Sequence, residues 1–349
     1  MSPCGYLPRR SVAKTDRTVK DNYTMNLELA KLTINNYKNC TLCPRDCKVD
    51  RAQGQTGYCG ETDKLRISSI GAHFGEEPPI TGTNGSGTVF FTGCSLKCCY
   101  CQNYQLSFEG LGNFYTCEQV VEELEKLVRS YGIHNVNFVT PDHFFPHTIK
   151  IAQILRERNI SLPILYNMSG YQKVESIKAL EEYADIYMPD FKYADKELAK
   201  ELSHAEDYPD RALESLIEMV KQKGFLDSFT EIKPIASNGV LVRHLILPEQ
   251  IQNSKDVLST LFIEFGKDIP ISLMSQYYPP AMLMRTDDRD FPFLKRRITL
   301  DEFEEVYEYA LSFGFTNMLV QYPQDFKSKK DKDDFVPDFR KEKPFMGNK

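Results

Sequence analysis

From residue 87 onward, short runs of β-branched and aromatic residues alternate with longer amphipathic stretches, and this alternation restricts the fold more than any other feature. Strands that alternate with helices form parallel β/α units with right-handed crossovers. The sequence therefore predicts an α/β fold with a full or partial parallel β/α barrel, and an open doubly wound sheet is the alternative. The predicted strands are 88–91, 135–140, 163–167, 185–188, 240–247, 269–274 and a terminal 317–321, and the predicted helices are about 117–131, 171–182, 208–223, 250–265 and 300–313.

Local signals fix the ends of two of these helices. Thr116 and Gln119 have the spacing of a capping box, and Gly132 follows the last apolar position of the same helix. Thr299 is the expected N-cap of the last helix, which Gly314 ends. In both barrels and open parallel sheets, chemistry belongs at the carboxyl ends of the strands. Candidate residues are therefore sought directly after each strand.

Composition divides the chain into four segments. Residues 1–36 are polar and poorly patterned, and we expect a disordered leader, although its basic start is also consistent with a weak organelle-targeting segment. Residues 37–86 form a cysteine-rich segment and a connector of turns and short strands, and residues 87–325 form the barrel core. Residues 326–349 are dense in charge, which predicts a disordered tail.

Charge and hydropathy exclude several classes of protein. The formal net charge of −6 argues against a broad nucleic-acid surface, which needs clustered Lys and Arg. No apolar run approaches the roughly 20 residues that span a bilayer, so we expect no membrane insertion. Ten cysteines in a chain without a visible export signal favour metal ligation over disulfides. A reducing compartment follows, either the cytoplasm or a reducing organelle.

Three cysteines follow the first barrel strand at C-x3-C-x2-C spacing, namely Cys94, Cys98 and Cys101. Three closely spaced thiolates can bind three irons of a [4Fe–4S] cluster. Cys99 and Cys101 cannot both turn inward without distorting the loop, so the loop supplies no obvious fourth ligand. An open coordination position is typical of a catalytic centre rather than a structural one. The alternatives are a zinc site or chance clustering.

Four more cysteines lie upstream within 20 residues, at Cys40, Cys43, Cys47 and Cys59. Four thiolates can close around Zn²⁺ or hold a second iron–sulfur cluster. The second cluster is preferred, and zinc stays open.

These motifs resemble those of the radical S-adenosylmethionine (SAM) superfamily. Within that superfamily, the chain resembles the pyruvate formate-lyase-activating-enzyme-like group, in its uncharacterised homologue branch. The resemblance covers about residues 40–321. It is carried by CTLCPRDCKVDRAQGQTGYCG, GCSLKCCYCQN, NVNFVTPDHF, DIYMPDFKY, VRHLILP and SQYYP.

The resemblance implies an oxidoreductase in which the open iron binds the amino and carboxylate groups of SAM. One-electron reduction then cleaves SAM into methionine and a 5′-deoxyadenosyl radical, which abstracts hydrogen from a substrate, possibly a glycine of a partner protein. The protein positions these groups and excludes competing partners. A flavodoxin or ferredoxin is the implied electron donor.

The residues that bind SAM are expected at the strand ends. Activating enzymes carry Gly-Gly-Glu after the second strand, whereas this chain has Thr140 and Asp142 there, as candidate partners of the SAM ammonium group. Asp190 and Lys192 match the Asp-x-Lys of that family, in which Lys192 would meet the SAM carboxylate and Asp190 would hold it as a buried ion pair. The remaining candidates are Tyr100 beside the cluster and adenine, Asn167 after the third strand, Gln276 after the sixth strand, and Arg243 in the fifth strand. Neighbouring residues of a strand face opposite sides, so at most one of Arg243 and His244 faces the barrel interior.

Two other functions stay open. The chain can be a non-catalytic iron–sulfur or zinc protein, for example an electron carrier on a degenerate scaffold. It can also be a radical SAM enzyme that acts on a small metabolite or on RNA, although the acidic balance disfavours RNA.

Overall fold

The computed structural model describes residues 32–230, 233–287, 289–323, 336–341 and 344–345. Its strands are β1 (Arg66–His73), β2 (Ser86–Phe91), β3 (Asn113–Phe114), β4 (Val136–Val139), β5 (Ile164–Met168), β6 (Ile186–Pro189), β7 (Gly239–Val240), β8 (Val242–Leu245), β9 (Ile271–Met274) and β10 (Met318–Val320). Its α-helices are α1 (Pro78–Thr81), α2 (Tyr104–Ser107), α3 (Cys117–Tyr131), α4 (Phe145–Glu157), α5 (Val174–Leu180), α6 (Lys196–Ser203), α7 (Tyr208–Lys223), α8 (Asp227–Thr230), α9 (Ile251–Phe265) and α10 (Leu300–Ser312).

The parallel strands follow one another in chain order. Strands β2, β4, β5, β6 and β7 are neighbours in one sheet, and β8, β9 and β10 are neighbours in a second. The sheets join at β6, where the backbone N–H of Phe191 donates to the carbonyl of Arg243 at 2.8 Å. An order without reversal is that of a partial β/α barrel rather than a doubly wound sheet. The predicted α/β barrel class is confirmed.

Capping explains where the best-predicted helices begin. The Thr116 hydroxyl accepts from the backbone N–H of Gln119 at 3.2 Å, and the Gln119 side chain accepts from the backbone N–H of Thr116 at 2.8 Å. Gly132 ends α3 with φ +64°, a conformation that glycine adopts without steric cost. Thr299 and Glu302 form the same reciprocal box at α10. Both predicted helix starts are confirmed.

Several elements differ from the sequence prediction. The predicted strand 240–247 is two short strands, β7 and β8, interrupted at Leu241. Strand β1 runs antiparallel to β2 and lies in the predicted connector. Its bounds were not predicted, because its mostly half-buried residues show no apolar alternation. Helix α6 was not predicted, and its N-terminus is capped by the Asp195 carboxylate, which accepts from two backbone N–H groups.

An apolar cluster fills the lower part of the barrel interior. Its buried members come from α1, from the strands and from the segment around Ala236, and they are Ile80, Leu165, Ile186, Met188, Leu226, Ala236 and Leu241. Leu165 precedes Asn167 by two residues, so both face the interior, at different heights. The apolar cluster therefore leaves room for polar groups near the carboxyl ends of the strands.

Of the charged tail, the structure describes residues 336–341 and 344–345. Within them, Phe339 and Phe345 pack against Phe90 of β2, with ring centroids 5.2 and 5.3 Å away. The predicted disorder of residues 326–349 and of the leader 1–36 falls largely outside the described residues and stays a prediction. In the described ranges, no helix is long and apolar enough to cross a bilayer.

Gly170, just after β5, gives a test of how tightly the strand ends are packed. A Cβ there would lie 2.1 Å from the carbonyl oxygen of Asp190 and 2.3 Å from the hydroxyl of Tyr208. We expect Gly170→Ala to destabilise the protein by more than about 2 kcal/mol, because backbone atoms must shift. Gly314→Ala is the matched control, since Gly314 also has positive φ but no atom within 4 Å of the added Cβ. Urea unfolding of the cluster-free protein measures both, and equal losses would contradict the packing argument.

Candidate active site

The three-cysteine loop begins at the carboxyl end of β2 and borders a cavity of about 160 Å³. This space, called the cluster cavity below, lies at the carboxyl ends of the parallel strands, as the sequence predicts. Its walls bring together the three loop cysteines and seven of the eight predicted cofactor residues. These are Cys94, Cys98, Cys101, Tyr100, Thr140, Asn167, Asp190, Lys192, Arg243 and Gln276.

Hydrogen-bond donors surround the cysteine sulfurs. The backbone N–H groups of Leu96 and Lys97 each donate to Cys94 Sγ at 3.4 Å, and the Ser107 hydroxyl donates to Cys101 Sγ at 3.4 Å. Burial, with the nearby cysteine sulfurs, raises the pKa of the Cys94 thiol to about 12 and that of Cys101 to about 11. Such thiols become thiolates at neutral pH when a cationic metal group binds them.

The donor set of the cluster cavity fits an iron–sulfur cluster. Three thiols share the wall of one cavity, as the ligands of an iron–sulfur cube do. Cys99 is not part of that wall, and its backbone N–H donates to Leu202 at 2.8 Å. The described wall therefore carries three thiols and no fourth.

Charged side chains face the sulfurs from β6 and β8. Lys192 Nζ lies 2.5 Å from Asp190 Oδ2, and Arg243 Nε lies 3.0 Å from Asp190 Oδ1. Arg243 Nη2 also donates to Asn167 Oδ1 at 2.9 Å. Burial by itself raises the pKa of Asp190, but the two cations outweigh it and hold the pKa below its ordinary value. The expected Asp190–Lys192 ion pair is present, and Arg243 rather than His244 faces the interior.

Thr140 has an unusual backbone conformation at this site. Its φ is +55°, which is rare for a β-branched residue and costs about 1–3 kcal/mol. The backbone N–H of Thr140 donates to the carbonyl of Asn167 at 2.9 Å, which ties the ends of β4 and β5 together. Strained backbone that a fold retains at a cavity wall is typical of functional sites.

Asp142 is the one predicted cofactor residue set back from the cavity wall. It is fully buried and accepts a hydrogen bond from Gln172 Nε2. Burial raises the pKa of its carboxyl group to about 6. In this conformation Asp142 does not face the space in which Lys192 and Arg243 meet.

The upstream cysteine segment packs directly behind the three-cysteine loop. The backbone N–H of Cys94 donates to the carbonyl of Cys59 at 3.4 Å. Arg45 adds hydrogen bonds to the carbonyls of Ser95 at 2.9 Å and Leu96 at 3.2 Å. The four thiols of this segment lie near one another, and the backbone N–H of Tyr58 donates to Cys47 Sγ at 3.2 Å. Arg45 gave no sequence signal, because all its hydrogen-bond partners lie 50 or more residues away along the chain.

Sequence reasoning also missed a second, larger cavity of about 600 Å³ that adjoins the first. We call it the inner cavity. It shares Asn167, Arg243 and Gln276 with the cluster cavity and extends to Glu76 and Glu77. These glutamates lie in the predicted connector, where no periodic pattern indicates that the chain enters the barrel.

A model of the Radical SAM superfamily matches residues 88–239, from β2 to β7. Two proteins of Methanocaldococcus jannaschii are similar in sequence. Uncharacterized protein MJ0674 is 27% identical over 83% of this chain and 78% of its own length. Uncharacterized protein MJ0808 is 22% identical over 71% of this chain and 73% of its own length.

Among solved structures, methylornithine synthase (PylB) aligns over 68% of this chain and 71% of its own, at 18% identity and a TM-score of 0.40. Streptococcus suis SuiB bound to S-adenosylmethionine aligns over 68% of this chain and 47% of its own, at 15% identity and a TM-score of 0.40. The superfamily match includes the three-cysteine loop and the end of β6 with Asp190 and Lys192, and it stops before β8 and Arg243. Over these residues the chain is similar to the radical SAM superfamily.

Proposed function

We propose that the protein cleaves SAM reductively at a [4Fe–4S] cluster held by Cys94, Cys98 and Cys101. When bound, the cluster and SAM supply a 5′-deoxyadenosyl radical that abstracts hydrogen from a substrate. The observation that carries this proposal is the cavity wall with three thiols and no fourth, at the end of the first parallel strand. Three protein ligands leave one iron open for SAM.

The charged residues of the cluster cavity are proposed to orient SAM. Lys192 and Arg243 supply positive charge for its carboxylate, and Asp190 keeps both cations in place. Asn167 supplies an amide for the carboxylate or ribose, and the carbonyl of Thr140 accepts from the ammonium group. Such fixed polar groups bind without reorganisation when the reaction begins.

Three further residues complete this proposal. Tyr100 packs edge-on against Tyr193 and Tyr277, and we propose that it offers a fixed aromatic surface to the adenine. Gln276 is proposed to contact the nucleoside. Asp142 is proposed to fix the turn after β4 through Gln172, rather than to meet the SAM ammonium group directly.

The upstream cysteines are proposed to hold a second metal centre. Four thiolates can hold a second iron–sulfur cluster or close around Zn²⁺, and we prefer the cluster. The variant with Cys94, Cys98 and Cys101 all changed to serine tests this point by metal analysis. We expect it to retain about four irons per chain, bound by Cys40, Cys43, Cys47 and Cys59. One zinc per chain would select the alternative, and a metal-free protein would reject both.

The reaction partners follow from the motif resemblance. An activating-enzyme-type oxidoreductase takes its electron from a flavodoxin or ferredoxin and works in a reducing compartment. Its hydrogen donor would be a glycine of a partner protein or a small metabolite.

Product analysis tests SAM cleavage. After anaerobic reconstitution with iron and sulfide, the protein is mixed with dithionite and SAM, and 5′-deoxyadenosine and methionine are measured by mass spectrometry. We expect both products in equal amounts and none when dithionite is omitted. A fully reconstituted protein that yields neither product would refute the proposal.

A further inference from the structure

The inner cavity lies where a substrate would meet the cluster cavity. Its volume of about 600 Å³ is in the range of small-molecule and side-chain sites. The two cavities share Gln102 and Asn103 of the cysteine loop, in addition to residues at the strand ends. A group held in the inner cavity would therefore be next to the proposed reaction centre.

Carboxylates outnumber cations on the inner cavity wall. The titratable side chains among the described lining residues are Glu76, Glu77, Arg243 and His73, and burial lowers the pKa of His73 to about 4. Arg243 Nη1 lies 3.7 Å from Glu76 Oε2, but its Nε already meets Asp190 at 3.0 Å. The Arg243 guanidinium is thus divided between Glu76 and Asp190, and Asp190 also pairs with Lys192, so three carboxylates face two cations when Glu77 is included. Burial, with the neighbouring carboxylates, raises the pKa of both glutamates.

One buried hydrogen-bond acceptor without a donor lies on the described cavity wall, and another lies beside Glu76. Asn137 is fully buried and donates its Nδ2 to Glu76 at 3.0 Å, while its Oδ1 has no partner in the described structure. Asn137 faces the barrel interior, because Val139, two residues later on β4, lines the cavity. Gln321 also lines the cavity, and its buried Oε1 has no partner among the described residues either. Buried acceptors of this kind normally have a donor.

We propose that the substrate presents a positively charged nitrogen, an ammonium or a guanidinium, to Glu76 and Glu77. This inference rests on the proposed function, since it assigns the substrate of the same site. A cationic nitrogen supplies N–H donors to the carboxylates and to the free Gln321 acceptor, and it balances the excess carboxylate. A neutral group leaves that excess unbalanced, and an anion adds like charge to it.

Matched probes test the charge preference by isothermal titration calorimetry on the reconstituted, SAM-loaded protein. Cadaverine, 1,5-pentanediol and glutarate have the same carbon chain but differ in charge. A lysine-containing hexapeptide and its norleucine counterpart present the same difference on a protein-like substrate. We expect cadaverine or the lysine peptide to bind at least about tenfold more tightly than its neutral counterpart. Preferential binding of cadaverine would identify a free amine as the source of the cationic nitrogen, and preferential binding of the lysine peptide would identify a side chain.

Two variants show whether the glutamates cause the preference. Glu76→Gln/Glu77→Gln should reduce the ratio of affinities for the cationic and neutral probes to below about threefold. Glu77→Gln alone is the milder change if the double variant does not fold. Glu304→Gln/Glu308→Gln removes two exposed carboxylates from α10 and should leave it unchanged. Equal binding of neutral and cationic probes, or a preference that survives Glu76→Gln/Glu77→Gln, would overturn the inference. SAM cleavage by the same wild-type preparation reports separately on the proposed function.

Discussion

Cys98→Ser is expected to lower SAM cleavage by at least about a thousandfold, because one iron loses its thiolate and the cluster does not assemble with three ligands. Cys98 lies on the wall of the cluster cavity with Cys94 and Cys101. Serine keeps the size of the side chain but is a poor ligand for iron in such clusters. The measurements are iron content, the absorbance of the cluster and the rate of 5′-deoxyadenosine formation.

Cys99→Ser is the control for this change. Cys99 is adjacent in sequence but does not line the cluster cavity, and its contact to Leu202 is made by backbone N–H, which serine retains. We expect Cys99→Ser to keep the cluster and most of the SAM cleavage. Loss of the cluster in the Cys99 variant, with retention in the Cys98 variant, would show that the wrong thiol had been assigned.

Asp190→Asn is expected to destabilise the protein by about 3 kcal/mol. The carboxylate lies between Lys192 at 2.5 Å and Arg243 at 3.0 Å, and all three side chains are at least four-fifths buried. Asparagine keeps the shape but leaves the two buried cations with one charge fewer to balance them. The free energy of unfolding of the cluster-free protein in urea measures the loss, and the affinity for SAM should fall as well.

Asp210→Asn provides the matched comparison. Asp210 also lies 2.5 Å from a lysine, Lys196, but both side chains are more than half exposed. Water and salt screen an exposed pair, so we expect the unfolding curve to stay within error of the wild type. Similar losses in both aspartate variants would contradict the view that Asp190 organises a buried site.

Local signals predicted the fold well where the determinants are close in sequence. The capping boxes at Thr116 and Thr299 lie within four residues, and α3 begins where its box requires. The sequential order of the parallel strands followed from strand–helix alternation. Short strands were predicted in the connector, but β1 could not be placed there, because it is only half buried and its residues show no period-two pattern.

The sequence likewise predicted the parts of the site that depend on local spacing, but not those that depend on contacts between distant residues. The cysteine spacing is local, and the structure brings the three thiols to one cavity wall. Asp142 was expected to face SAM, but its partner Gln172 lies 30 residues away and holds it behind the wall. Glu76 enters the barrel through contacts with Asn137 and Arg243, and no pattern in residues 61–85 indicates such long-range contacts.

Electron–nuclear double resonance on the reduced, reconstituted protein tests the central claim most directly. SAM labelled with ¹⁷O in its carboxylate is added to the anaerobic sample. We expect the cluster signal to show hyperfine coupling to the labelled oxygen, because three cysteines leave one iron available for that group. A reduced cluster without this coupling at saturating SAM, or a protein that assembles no cluster at all, would contradict the account.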